Sequence, residues 1–556
     1  MKQELAQAVA AVVKDLFDTD VSVDLTRPDE QFGDFATNVA MQLAGKLGKN
    51  PREIAETLAA KLRELPDITK AEVAGPGFVN ITVDNSSLLQ ALNQPPAKPL
   101  EGKVIVTEYS DMNPFKQSHV GHLYTTIVGD VISRLYKSAG ATVHRVNFGG
   151  DVGLHVARTM WGIIKHLGGE NPEGLSEAGT SPREQTTWLS QRYVEGTKAS
   201  EEDEAAKQEI VEINQRIYQL HDANDHDSAF AQIYWTCREW SYDYFKEFYD
   251  LLQVSQFEKY YPESVTAPEG IKVVREQLAN GVYQESDGAV VFDGEKYGLH
   301  TRVFINSKGL PTYEAKDVGL SMQKWDDYHF DESVIITGND IQQYMQVVLK
   351  SIEQFKPELA NRTKHITHGN VKLAGGVKMS SRLGNGLAPE EVIESARQAS
   401  QQQTGKMDES VVIGAVKYAF LRSRIGGDLI YDPVESVSIE GNSGPYLQYA
   451  HTRARSILAK TEGGAGELTD LQPGERTLVR KLCEYPDVVA LATNELMPHH
   501  ICTYLYELAQ TFNRFYEQNR VIGDTRQAQR LTLVAKYAET LKAGLGLLGM
   551  SAPEQM

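Results

Sequence analysis

Val104-Ile105-Val106-Thr107-Glu108, continuing through Tyr109-Ser110-Asp111-Met112-Asn113-Pro114 to His119-Val120-Gly121-His122, is the stretch that decides the fold. Its apolar opening reads as a buried parallel strand. Pro114 keeps the residues just before it out of a helix. From Gly121 onward, Leu123, Ile127, Val131 and Leu135 recur every four residues and predict one helix face, with Gly140 as its C′ residue. Thr142 to Phe148 reads as the next strand. Strand, helix and strand in this order predict an open α/β sheet of Rossmann type, which takes ligands at the carboxyl ends of its strands. The helix start offers free N–H groups and a dipole to an anion. His119 and His122 can donate to phosphate oxygens, and Gly121 leaves room for a flat adenine. Alone, an H-x-G-H string is more often two surface histidines.

A second string changes that balance. Lys378-Met379-Ser380-Ser381-Arg382 stands between Gly375-Gly376 and Gly384-Asn385, so two cations and two hydroxyls share a glycine-flanked loop. Such a loop can close on a pyrophosphate leaving group. It follows the short apolar strand Ser333 to Thr337, which ends at Gly338-Asn339-Asp340. The two strings together imply activation of a carboxylate by ATP.

The 556 residues suffice for about three domains. Gln94-Pro95-Pro96-Ala97-Lys98-Pro99 marks the first boundary, since prolines this dense suit neither helix nor sheet. The division predicted is an α+β module over 1–95, an α/β domain over 101–408 and an all-α bundle over 409–556, broken by a loop at 462–475. In the first module, helices are expected over 2–18, near 36–48 and from Pro51 to Leu65, with strand-like sequence from Ala71 to Val83. Residues 169–232 carry 14 acids against 5 Lys or Arg and read as a solvated, partly helical insertion. The net charge of −19 speaks weakly against nucleic acid, but residues 411–556 hold 15 Lys or Arg against 16 acids, so a local basic face is possible there. No apolar run approaches a membrane span, and the amphipathic start is not a secretory signal. The 3 cysteines are widely spaced, form no metal pattern and cannot all pair, which points to a reducing cytoplasm.

The two strings resemble the signatures of the class I aminoacyl-tRNA synthetases, and the wider sequence resembles the arginyl-tRNA synthetase family over nearly its whole length. The resemblance rests on Glu108 to Pro114, on Asn147-Phe148-Gly149-Gly150-Asp151-Val152-Gly153, and on Gly441-Asn442-Ser443-Gly444-Pro445-Tyr446-Leu447-Gln448-Tyr449-Ala450-His451-Thr452-Arg453. Phe32-Gly33-Asp34-Phe35-Ala36-Thr37-Asn38, Gly75-Pro76-Gly77-Phe78-Val79-Asn80 and the tail Leu547-Leu548-Gly549-Met550 add to it. It implies a ligase that joins arginine to tRNA(Arg) through arginyl-adenylate, with ATP as substrate, magnesium accompanying it and no prosthetic group. A monomer is expected, with no membrane partner.

Residue roles follow from the resemblance. His119, His122 and Lys378 would be catalytic; with Gly121, Gly338, Asp340, Ser380 and Arg382 they would bind ATP. Glu108, Asp111, Asn113, Tyr313, Asp317 and Asn339 would bind arginine. Physically, a guanidinium fork needs carboxylates placed for parallel hydrogen bonds and often an aromatic face. Tyr313 and Asp317, four apart on a helix, could supply both, although such a pair is otherwise a surface feature. For tRNA, the candidates are Asn80 in the first module and Tyr446, Tyr449, Arg453 and Arg455 on one helix of the bundle, where the tyrosines could equally be core. Several positions depart from the family: Val152 for Trp, Asp111 for Ser, Asn339 near a Gln, Ser381-Arg382 for Lys-Ser, and Gln555 for Arg. The rival readings are another class I synthetase or nucleotidyl ligase sharing the ATP site, and a non-catalytic RNA-binding paralogue.

Overall fold

The computed structural model describes residues 1–374, 387–405, 408–460 and 466–556. Its centre is a five-stranded parallel sheet in the order Thr363–His368, Glu332–Gly338, Val104–Glu108, Thr142–Gly149, Lys259–Pro262. The chain winds outward from Val104–Glu108 in both directions. The topological switch point therefore lies between the ends of Val104–Glu108 and Glu332–Gly338, where a doubly wound sheet opens a crevice. The segments His119 to His122 and Gly338 to Asp340 leave from those two strands. The helix after the first strand is Val120–Ser138, and the face Leu123, Ile127, Val131, Leu135 is fully buried. It ends at Ala139, and Gly140 takes φ +97°, as a C′ residue should.

The N-terminal module packs the helices Lys2–Phe17, Val39–Leu47 and Pro51–Leu62 against an antiparallel sheet ordered Phe35–Thr37, Phe78–Val83, Ile68–Ala74. The expected helix near 36–48 is thus corrected at its start. Phe35 to Thr37 pair with Val79 to Ile81, and helix begins only at Val39. Pairing with a distant strand outweighs local helical pattern there. The module is bolted to the C-terminal bundle. Asp34, fully buried, accepts from Arg476 Nη2 at 2.7 Å and faces Arg480 Nε at 3.4 Å. Both arginines lie on the bundle helix Pro473–Leu482.

The segment 169–232 is more than a solvated insertion. Its helices Pro182–Glu202 and Glu204–Ala223 join Leu154–His166 and Ala229–Leu251 around their own apolar core, which buries Leu189, Ile210, Ile217 and Leu220. Its acidity lies on the outer faces and hides the stripe beneath. Past residue 408, the helices Glu409–Leu421, Gly444–Ala459, Pro473–Leu482, Tyr485–Glu495, His499–Gln518 and Gln527–Leu547 form the bundle. A short strand, Leu429–Tyr431, interrupts them and pairs in parallel with Val371–Leu373 of the α/β region. The tail runs back along Gly444–Ala459: Gln448 Nε2 donates to the Ser551 carbonyl at 3.1 Å, and Thr452 Oγ1 donates to the Pro553 carbonyl at 3.1 Å. Buried Lys417 donates to the Gly549 carbonyl at 2.6 Å, and Arg134 of the helix Val120–Ser138 reaches the Gly546 carbonyl at 3.3 Å.

Candidate active site

His119 caps the helix Val120–Ser138. Its Nδ1 accepts from the Gly121 N–H at 3.1 Å, and His122 Nδ1 accepts from the His119 N–H at 3.1 Å. With both Nδ1 atoms occupied as acceptors, each neutral ring carries its proton on Nε2 and has a donor to offer. A side chain at Gly121 would come within 2.8 Å of the His119 ring, so glycine lets that ring lie across the helix start. The ring centroids are 4.0 Å apart. Loss of water around the rings, with repulsion from Lys116, pushes His119 down to about 4. The same desolvation, with His119 as a neighbour, holds His122 well below the usual imidazole range. Both are therefore uncharged donors at neutral pH.

Across the switch point, Gly338 ends its strand and Asn339–Ile341 forms a single tight turn. Asp340 is exposed there, and its carboxylate pulls the His119 and His368 pKa values upward, which places it on the histidine side of the crevice. Lys378, Ser380 and Arg382 lie outside the described residues. The first described residue beyond them, Leu387, accepts a hydrogen bond from the Val120 N–H at 2.7 Å.

The loop between Glu108 and His119 is held by backbone contacts. Asp111 Oδ1 accepts from the Phe148 N–H and Asn113 Oδ1 from the Gly150 N–H, both at 2.9 Å. A side chain at Gly150 would meet Asn113 Oδ1 at 2.6 Å, so the close approach of the two loops demands glycine. Ser110, Asp111 and Phe115 all take positive φ (76°, 47° and 68°). Three non-glycine residues in the left-handed region within one loop represent backbone strain, which persists where the surroundings enforce it and clusters at functional sites.

Glu108, Asp111 and Asp317 face one another beneath this loop, and the cation that joins them is Lys324, paired with Glu108. Glu108 and Lys324 are 2% and 1% exposed, and Asp317 is 7% exposed. Burial and the Glu108 carboxylate raise Asp111 well above the carboxylate range. Burial raises Asp317 to about 8, with Glu108 and Glu263 adding to it and the Tyr344 hydroxyl and Lys324 opposing. Among the described residues one lysine pairs with this group, so with all three carboxyls ionised the pocket is two positive charges short, and burial drives Asp111 and Asp317 toward their neutral forms. A second buried pair, Glu263–Lys316 at 2.5 Å, stands beside it.

Tyr313 does not join Asp317 on a buried face. It is 57% exposed, and the Lys316 ammonium lies 5.0 Å from its ring centroid. Lys324, Tyr344 and Lys116 escaped the sequence reading. Lys324 left a trace, two turns after Asp317 on the helix Tyr313–Tyr328; the others left none.

The RNA candidates are spread out. Tyr449 is 47% exposed, whereas Tyr446 is half-buried against Tyr506 and its hydroxyl accepts from Asn513 at 3.1 Å. Arg453 covers the Tyr516 ring at 5.2 Å, and Arg455 pairs with Glu554 of the tail at 2.5 Å. Asn80 is half-buried in the middle strand of the N-terminal sheet, between Ala36 and Glu72.

Residues 85–432 match the family described as tRNA synthetases class I (R), catalytic domain. Residues 447–556 match the DALR anticodon binding domain, and residues 1–83 the arginyl tRNA synthetase N terminal domain. The arginine–tRNA ligase of Lactobacillus delbrueckii subsp. bulgaricus is 30% identical over 589 residues, covering 100% of both chains. That of Parabacteroides distasonis is 28% identical over 601 residues, again covering 100% of both. Among solved structures, the Thermus thermophilus arginyl-tRNA synthetase superposes with a TM-score of 0.81 at 24% identity over 100% of both chains. The Plasmodium falciparum arginyl-tRNA synthetase also gives 0.81, at 20% identity, over 100% of this chain and 99% of that one.

Proposed function

The chain belongs to the class I arginyl-tRNA synthetases, and from that premise we propose that it charges tRNA(Arg) with arginine at the crevice between Val104–Glu108 and Glu332–Gly338. The observation that carries this reading is the carboxylate group Glu108, Asp111 and Asp317, short of positive charge with Lys324 its one paired cation among the described residues. A guanidinium supplies that charge in a planar fork of donors. A lysine substrate would leave part of the acceptor set unpaired, and such sites discriminate by factors on the order of 10⁴.

In the first step, a carboxylate oxygen of arginine attacks the α-phosphorus of ATP. The new P–O bond forms as the bond to the β-phosphate bridge breaks, and pyrophosphate departs. His119 and His122 donate from Nε2 to phosphate oxygens as their charge shifts. Asp340 takes the ribose and Gly121 borders the adenine. Lys378, with Ser380 and Arg382, holds the departing pyrophosphate. In the second step, a hydroxyl of the terminal ribose of tRNA attacks the arginyl carbonyl carbon, its proton is lost, and AMP leaves. Both steps depend on positioning and charge stabilisation, with no protein nucleophile. Magnesium enters bound to the ATP phosphates, as part of the substrate.

On the tRNA side, Tyr449 and Arg453 meet the anticodon arm, with Tyr446 and Arg455 behind them, and Asn80 meets the elbow of the tRNA. The proposed working form is a monomer. No helix among the described residues is long and apolar enough to cross a membrane. Pyrophosphate exchange with each of a panel of amino acids, with and without tRNA(Arg), tests the reading. Exchange with arginine alone among them is expected, and exchange driven by another amino acid would reject it.

A further inference from the structure

We infer that Tyr344 is the positioning residue for arginine recognition, its hydroxyl fixing the orientation of Asp317 so that the carboxylate meets the guanidinium in one geometry. The inference rests on reading Asp317 as the guanidinium acceptor. Tyr344 donates from its hydroxyl to Asp317 Oδ2, and among the described residues no other side-chain donor reaches that carboxylate. Oδ1 is left for a ligand. Without Tyr344, a carboxylate at the end of a freely rotating bond would present its oxygens in many orientations, and a bidentate pair rewards only one of them.

The position of Tyr344 gives this contact a second role. It lies in the first turn of the helix Gln342–Glu353, which begins directly after the Gly338-Asn339-Asp340 turn. One short segment thus carries the candidate ribose carboxylate and the support of the candidate guanidinium carboxylate. The Tyr344 ring is itself braced, with the Arg302 guanidinium 5.7 Å from its centroid and Arg302 paired with Glu314 at 3.3 Å.

The charged and titratable groups around the Tyr344–Asp317 contact are Glu108, Asp111, Lys324, Glu263, Glu314 and Arg302. Burial and the Asp317 carboxylate raise the phenol far above its ordinary value, so it stays a donor throughout the working pH range. Its hydrogen bond favours the ionised carboxylate. Removing it therefore favours the protonated acid and moves the pH limb of arginine binding upward.

The test is Tyr344→Phe, alone and combined with Asp317→Asn, with KM for arginine and for ATP, kcat, and the pH profile of the arginine KM all measured. Thermal unfolding of each variant reads the fold separately. The arginine KM is expected to rise about tenfold in Tyr344→Phe, by comparison with loss of one hydrogen bond to a charged group. Its pH limb should shift upward, with the ATP KM and kcat nearly unchanged. In the Asp317→Asn background, Tyr344→Phe should add nothing, because both changes act on one contact. An unchanged arginine KM, an unmoved pH limb, or full additivity in the double variant would overturn the proposal for Tyr344 while sparing Asp317. An unchanged arginine KM in Asp317→Asn alone would remove Asp317 from the pocket, and the role of Tyr344 with it.

Discussion

Two histidines whose Nδ1 atoms already accept backbone hydrogens can offer phosphate only their Nε2 hydrogens, and they do so without charge at neutral pH. His122→Ala removes one such donor. By analogy with the loss of one oxyanion-type donor, exchange should fall by roughly 10²–10³, and a near wild-type rate would refute the role. The carboxylates behave in the opposite sense. Asp317 at about 8 is mostly protonated at neutral pH, and a guanidinium prefers it ionised. The arginine KM should therefore fall as pH rises toward 8 and level off above it, by up to about tenfold per unit well below the pKa. A carboxyl held above its unfolded value stabilises the ligand-free fold at low pH, and that contribution is lost as pH rises through about 8. Saturating arginine should accordingly raise Tm more at about pH 8.5 than at about pH 6.5, which a melting series checks. The histidine pair was legible because its members are neighbours in sequence. Asp317 was singled out through its helical spacing to Tyr313, yet Tyr313 is largely exposed while Asp317 is buried. Tyr344 lies 27 positions from Asp317, and Lys324 lies 216 from Glu108. Partners that distant leave no local pattern to read.

At the scale of elements, the strand–helix alternation around the sheet was readable because buried parallel strands and amphipathic helices each carry their own period. The insertion was misread because composition averages over faces. Its acidic outer surface conceals Leu189, Ile217 and Leu220, all at most 4% exposed. Leu189→Ala should therefore cost about 2–5 kcal/mol, measured by denaturant unfolding. A cost below about 0.5 kcal/mol, the usual range for surface substitutions, would return the segment to the role of a solvated appendage. The start of the helix at Val39 shows the limit from the other side. Residues 36–38 look helical, but Phe35–Thr37 is committed to a strand more than 40 positions away, at Val79 to Ile81.

At the scale of the whole molecule, the N-terminal module is carried by the bundle. Asp34, in the Phe32-Gly33-Asp34-Phe35 string, is where two arginines of Pro473–Leu482 converge. Asp34→Ala leaves both without their buried counter-ion, at a cost of about 3–5 kcal/mol to the docking of the module. If the module and the bundle hold tRNA together, this variant should raise the tRNA KM while leaving exchange kinetics for arginine and ATP close to wild type. A matching loss in both would mean that the damage reaches the crevice.

The strand Leu429–Tyr431 lies beyond the point where the helical half begins, yet it hydrogen-bonds to Val371–Leu373. Anyone isolating the ATP-activating half at the bench would have to keep the polypeptide to at least Tyr431. Scissors placed at 408 would leave Val371–Leu373 with a bare edge and Lys372 without Asp428, and would invite the piece to stick to its own kind.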